Sequence, residues 1–174
     1  MAYQTTEVRA PDAPRGGGAR ITVTSETFTD GGTLPREAAF GGCGGDNRSP
    51  QLAWSGAPAG TKSFAVTCFD PDAPTGSGYW HWLTFNVPAD TTALDAGSPS
   101  ARASTTGRND YGQSDYGGPC PPPGDGPHRY IFTVYALDVE KIDGIDKGVT
   151  GASLVFNMRG HVLAQGSITG RYGR

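Results

Sequence analysis

Three apolar runs, each bounded by Gly, Pro and Asp, set the pattern of the chain. Phe64–Phe69 (FAVTCF), Trp80–Val87 (WHWLTFNV) and Tyr130–Leu137 (YIFTVYAL) have the length and the β-branched and aromatic content of strands. They are expected to be the central strands of a β core. Strand alternation puts His81, Leu83, Phe85 and Val87 on one face, and Trp82, Thr84 and Asn86 on the other. In the third run, His128, Tyr130, Phe132 and Val134 share a face. Shorter strands are expected within Ile21–Phe28, in QLAWSG at 51–56 and in SITGRY at 167–172. One segment reads as a helix: Thr150 can cap it, and Leu154, Val155 and Met158 form an apolar stripe.

The intervening stretches are punctuated rather than periodic. Gly41–Pro50 (GGCGGDNRSP) cannot hold regular structure, and Asp138–Asp146 reads as an exposed turn or helical fragment. Residues 88–127 lack a long periodic segment, but Tyr111, Tyr116 and the rigid PCPPPG at 119–124 predict an ordered surface loop. The 27 glycines and 14 prolines cluster between apolar runs, as in a loop-rich β protein. Residues 1–20 read as a flexible lead-in and 21–174 as a single domain. The fold class expected is all-β, two antiparallel sheets packed as a sandwich with short peripheral helices.

Charge and cysteine usage narrow the partners. A net charge of -3 with no Lys/Arg run argues against nucleic acid or an anionic membrane surface as the main partner. No segment is long and apolar enough to span a membrane, and the first residues lack the pattern of a secretory signal. The expected location is the cytoplasm. Cys43, Cys68 and Cys120, odd in number and widely spaced, are expected to be free thiols there.

Chemistry-bearing residues gather where the apolar runs begin and end. Asp70 and Asp72 sit in DPDAP at 70–74, stiffened by its prolines. One carboxylate is expected to orient a histidine and the other to tie the turn. His81 and His128 both stand at strand entrances after Gly/Pro-rich loops, which suggests one polar pocket. A charged imidazole there can donate to a phosphate or carboxylate, and a neighbouring Asp favours the charged form. Arg129 alternates to the opposite face, so a salt bridge to the Asp-Pro loop suits it better than ligand contact. Tyr130 can offer its hydroxyl to a ligand or pack in the core. His161, beyond the helix, reads as structural. No zinc-ligand spacing, nucleophile elbow, phosphate loop or dinucleotide fingerprint occurs. No metal or cofactor is therefore expected.

At these residues the chain resembles the phosphatidylethanolamine-binding protein family, also called Raf kinase inhibitor-like proteins, in its bacterial and archaeal branch. DPDAP at 70–74 with WHW at 80–82 resembles one family signature, and GGPCPPPGDGPHRY at 117–130 the other. FGGCGGDNRSPQLAW at 40–54, GRNDYG at 107–112 and the segment 151–172 also fit. The resemblance implies a small anion pocket formed by Asp70, His81, His128 and Tyr130, with the backbone of Gly117, Gly118 and Pro119 nearby. It further implies a cis bond before Pro74, with Asp72, Pro74 and Arg129 as structural residues. The implied ligand is a phosphate, a phosphorylated small molecule or a phospholipid head group. Inhibition of a kinase or peptidase by protein contact is the second reading. A small-molecule enzyme using His81 and Asp70 as an acid–base pair is the third. A homodimer is compatible with the sequence.

Overall fold

Strand β3 (Ser63–Asp70) is buried along its whole length, so both faces of its sheet must be covered. The computed structural model describes residues 19–174, and the expected lead-in lies outside the described residues up to position 18. The other strands are β1 (Thr22–Thr24), β2 (Leu52–Ser55), β4 (Tyr79–Pro88), β5 (Ala93–Leu94), β6 (Thr105–Thr106), β7 (His128–Leu137) and β8 (Val162–Tyr172). They form two antiparallel sheets, β1-β2-β5 and β6-β4-β3-β7-β8. One helix, α1 (Gly151–Met158), and two single 3-10 turns, at Arg36–Ala38 and Gly41–Cys43, complete the regular structure among the described residues.

The two faces of the large sheet have different covers. Phe64, Val66, Trp82, Phe132 and Val134 pack against Val23, Leu52, Trp54 and Leu94 of the small sheet. Ala65, Leu83, Phe85, Tyr135 and Leu137 pack instead on Ile142, Val149, Leu154 and Met158. This second cover is α1 with the segment before it. The Thr150 side chain accepts from the Ser153 amide at the helix start, and Leu154 and Met158 turn inward as the stripe requires. Each such buried side chain contributes about 1.5–3 kcal/mol.

The outer edge of β8 is lined by the chain that precedes and follows β1. Ile21 donates to the Gln165 carbonyl at 3.2 Å and Leu34 to that of Arg171 at 2.8 Å. A Cβ on Gly166 would lie 1.8 Å from the Ile21 carbonyl oxygen, so only glycine admits this approach. The expected first strand therefore stops at Thr24, because the chain leaves β2 and crosses to β8. The last strand starts five residues before SITGRY.

In β4 the simple alternation fails twice. Phe69 pairs with Trp80 and Cys68 with Trp82, so His81 is an extra residue opposite its partner strand. His81 and Trp82 consequently turn to the same side, with Leu83 and Phe85 on the other. A second irregularity falls between the Phe64–Val87 and Val66–Thr84 pairs. There Asn86 has φ 55°, and its side chain accepts from the Ile142 amide at 2.9 Å. Val87 is thereby returned to the face of Trp82. The face assignment expected for His81 and Val87 is corrected by these two bulges, whereas β7 alternates evenly as read.

Candidate functional site

The site lies where β3, β4 and β7 end together. Asp70, the last residue of β3, brings one carboxylate oxygen to 2.8 Å from His128 Nδ1. Its other oxygen accepts the Asp72 amide at 2.8 Å, which closes the start of the DPDAP turn. Asp70 thus performs both tasks that the sequence divides between two aspartates. Thr75 then donates to the Ala73 carbonyl at 2.8 Å around Pro74. This turn reverses the chain with a trans Ala73–Pro74 bond, and no cis peptide occurs among the described residues. The cis bond implied by the resemblance is corrected.

Asp72 instead holds Arg129. The guanidinium donates at 2.7 and 2.9 Å to its two oxygens, and the Arg129 backbone amide donates at 2.9 Å. That bidentate grip and the burial of Asp72 act in opposite directions, and the grip lowers the carboxyl below its ordinary value. Arg129 points away from His128, as alternation along β7 requires.

His81 and His128 are in opposite electrostatic settings. His81 Nδ1 donates to the Gly117 carbonyl at 2.7 Å; a carbonyl only accepts, so Nδ1 carries the hydrogen. Burial pushes the His81 pKa down to about 4, against smaller opposing effects of the Gly117 and Gly118 carbonyls. At neutral pH the ring is uncharged and Nε2 presents a lone pair. The charged His81 expected from a neighbouring Asp is corrected, since Asp70 turns to His128. For His128, burial acts downward, but hydrogen bonds and charges from Asp70 and Asp125 outweigh it and raise the pKa above 6.5. Its Nε2 lies 3.1 Å from Asp125 Oδ2, so both ring nitrogens face carboxylates. Burial raises the Asp70 carboxyl from 3.8, and the His128 contact recovers part of that shift.

These groups border a cavity of about 220 Å³, below the size that takes a drug-like ligand. Asp70, His81, His128 and Tyr130 line it together with Ala73, Pro74, Thr75, Tyr79, Tyr111, Cys120, Pro121 and Pro122. The Tyr130 hydroxyl is buried and completes no well-formed hydrogen bond, although it lies close enough to the Asp70 carboxylate for a weak one. Burial and then the Asp70 charge push that phenol far above its ordinary range. Among the described residues neither Lys nor Arg lines the cavity, so a cation in that lining must come from a histidine, and His128 is the one whose pKa is raised.

Gly117, Gly118 and Pro119 stand behind this lining. Gly117 and His81 also pair through the Gly117 amide and the His81 carbonyl at 2.9 Å. The Gly118 amide donates to Asn47 Oδ1 at 2.7 Å, and the Pro119 carbonyl accepts from the Phe40 amide at 3.0 Å. A Cβ on Gly118 would meet the Ala38 carbonyl oxygen at 2.1 Å, so the close packing of this support requires glycine. The segment holds His81 in place, with its amides already bonded to the protein.

Sequence reasoning passed over Tyr79, Tyr111 and Asp125 as site residues. Tyr111 stacks on Phe40 with centroids 4.2 Å apart and donates to the Gly118 carbonyl at 2.8 Å. Its place in GRNDYG beside a Gly-rich loop was the available signal. The expectation of three free thiols is also corrected: Cys43 and Cys120 form a disulfide, with Cα atoms 5.7 Å apart, and Cys68 alone is free and buried. The bridge ties the Gly41–Pro50 loop to the cavity wall. An odd count leaves one thiol over but does not forbid a pair.

The sequence profile described as phosphatidylethanolamine-binding protein matches residues 24–173. The UPF0098 protein YbhB of Escherichia coli strain K12 is 51% identical over 159 residues, spanning 87% of this chain and 99% of YbhB. YbcL of the same organism is 47% identical over 162 residues, 88% of each chain. The crystal structure of E. coli YbcL, described as a new member of the mammalian PEBP family, superposes with a TM-score of 0.85. Identity there is 44%, over 90% of this chain and 99% of that one. A putative homologue from Chlamydia trachomatis, CT736, gives a TM-score of 0.78 at 32% identity, covering 89% and 98% of the two chains.

Proposed function

Starting from the premise that this chain belongs to the phosphatidylethanolamine-binding protein family, we propose that the cavity binds one small phosphorylated group. That group is inorganic phosphate, a phosphomonoester or a phospholipid head group. The observation that carries this reading is the convergence of the His128 imidazolium and the unbonded Tyr130 hydroxyl on one small cavity. A cation and a free donor suit phosphoryl oxygens. Neutral His81 adds an acceptor at Nε2, which suits the P–OH of a monoanion. Bound anionic charge also favours protonating this ring, so binding is expected to take up a proton. No chemical step is assigned to the site, and the acid–base pairing of His81 with Asp70 loses support because Asp70 serves His128. Among the described residues no helix is long and apolar enough to cross a membrane. The Cys43–Cys120 bridge removes the cysteine argument for a reducing compartment and favours an oxidising one.

Calorimetric titration with phosphate and phosphorylethanolamine tests the reading. Binding is expected to weaken as pH rises through the raised His128 value, where the imidazolium is lost. Repeating it in buffers of different ionisation heat measures the proton uptake. Tyr130→Phe is expected to lower affinity about tenfold while leaving stability within about 1 kcal/mol. A folded protein that ignores every phosphorylated ligand between acid and neutral pH would overturn the assignment.

A further inference from the structure

We propose that Asp125 is a built-in competitor for the anion site: its carboxylate holds the His128 donor that an incoming phosphoryl oxygen would need. The inference rests on the anion reading above. His128 has two donors, and Asp70 takes the one at Nδ1 from inside the fold. The other, at Nε2, meets Asp125 Oδ2 at 3.1 Å. The two carboxylates differ in how firmly they are placed. The Asp70 side chain is 4% exposed, whereas that of Asp125 is 42% exposed. Asp125 sits on a turn, its amide donating to the carbonyl of Pro122, which lines the cavity. Gly124 and Gly126 flank it, and outside their own chain neighbours no atom lies within 4 Å of where either would carry a Cβ. The carboxylate can therefore swing into water without repacking a neighbour.

This arrangement sets a threshold for ligands. A weak anion that reaches only Nε2 exchanges one oxygen for another and gains little over Asp125. A phosphoryl group presents several oxygens and can take Nε2 and the Tyr130 hydroxyl together, which the single Asp125 contact cannot match. Asp125 thus sets a common threshold that a phosphoryl group passes and a weak anion does not. It also keeps His128 charged when the cavity holds no ligand.

Asp125→Asn tests this, with inorganic phosphate and acetate as probes, each protein being titrated below its own measured His128 midpoint. Phosphate is expected to bind Asp125→Asn on the order of tenfold more tightly than wild type. Acetate is expected to gain by a similar factor, since it displaces the same carboxylate. Asp143→Asn, an exposed site with the same charge change, is expected to bind as wild type does. In ligand-free protein, the His128 titration followed by NMR is expected to move down in Asp125→Asn and to stay put in Asp143→Asn. Equal phosphate affinity in wild type and Asp125→Asn would overturn the proposal and leave the anion reading standing. Absence of binding in all three proteins would overturn both.

Discussion

His81 and His128 face one cavity from the strands on either side of β3, and they are buried alike, at 3% and 4% exposure. Their titrations are nevertheless pushed in opposite directions. His81 meets a peptide carbonyl, which cannot compensate for lost water, and its ring stays neutral. His128 meets two carboxylates, which can, and its pKa is raised above the ordinary value. Solvent exposure alone therefore does not decide the state of a ring here; the protein packed round it and the partners on its nitrogens do. Burial dominates at His81 and the carboxylates outweigh it at His128, so one cavity draws opposite shifts from the same residue type.

The sharpest way to break this contrast is Asp70→Asn. It leaves the His128 imidazolium with only the exposed Asp125 for compensation, at an expected cost of about 3–5 kcal/mol in chemical denaturation. The His128 titration should then move toward that of His81. An unchanged titration would show that Asp125 alone sustains the charge.

Next in size is the covalent tie on the wall that both rings share. Cys43 and Cys120 are 77 residues apart, and replacing both with Ser is expected to cost about 2–4 kcal/mol. If the bridge only braces the wall, both histidine titrations survive the change below the melting transition. A selective shift at His128 would instead tie the bridge to the position of the Asp125 turn.

The pH dependence of stability separates the rings without removing either. For His81 the folded value is about 4 and the unfolded one 6.5, so the unfolded chain takes the proton first. Stability is therefore lost as pH falls from 6.5 toward 4, by on the order of 3 kcal/mol. For His128 the folded value is raised, so its contribution is full below 6.5 and disappears as pH rises through that value. His81→Gln is expected to flatten the acid limb only, with the Asp70 contribution common to both proteins. An acid limb of unchanged depth would mean that His81 is not the neutral ring. The smallest effect is expected from Arg129→Ala, which breaks a half-exposed pair outside the cavity. It should cost about 1 kcal/mol in the same denaturation and move neither histidine. A large shift at His128 would place Arg129 within the site's electrostatics.

The sequence was legible wherever the strand period ran undisturbed. β7 alternates without interruption through the site, so His128 and Tyr130 could be put on one face and Arg129 on the other. A salt bridge from Arg129 to the Asp-Pro loop followed from that alternation, and its partner there is Asp72. His81 could not be placed the same way, because the bulge that turns it toward Tyr130 depends on its pairing with β3 and leaves no mark in the spacing. The disulfide was hidden for a related reason: it depends on two distant loops meeting through contacts such as Phe40 with Pro119. Asp125 was hidden in another way. PGDGPH reads as an ordinary turn, and only the direction of His128 Nε2 gives its carboxylate a task.

The chain segment laid along β8 has a consequence for the chain's behaviour in concentrated solution. β8 is the longest strand, 11 residues, and it closes one side of the five-stranded sheet. Uncovered, its row of free amides and carbonyls would template pairing with a second molecule, the usual start of edge-to-edge aggregation. Residues 20–34 occupy that row through parallel bridges at Gln165 and Arg171 and through hydrogen bonds from Ile21, Gly31 and Leu34. The segment therefore guards solubility. Shortening the chain through it should leave α1 and the opposite sheet face intact while making the protein self-associate along β8.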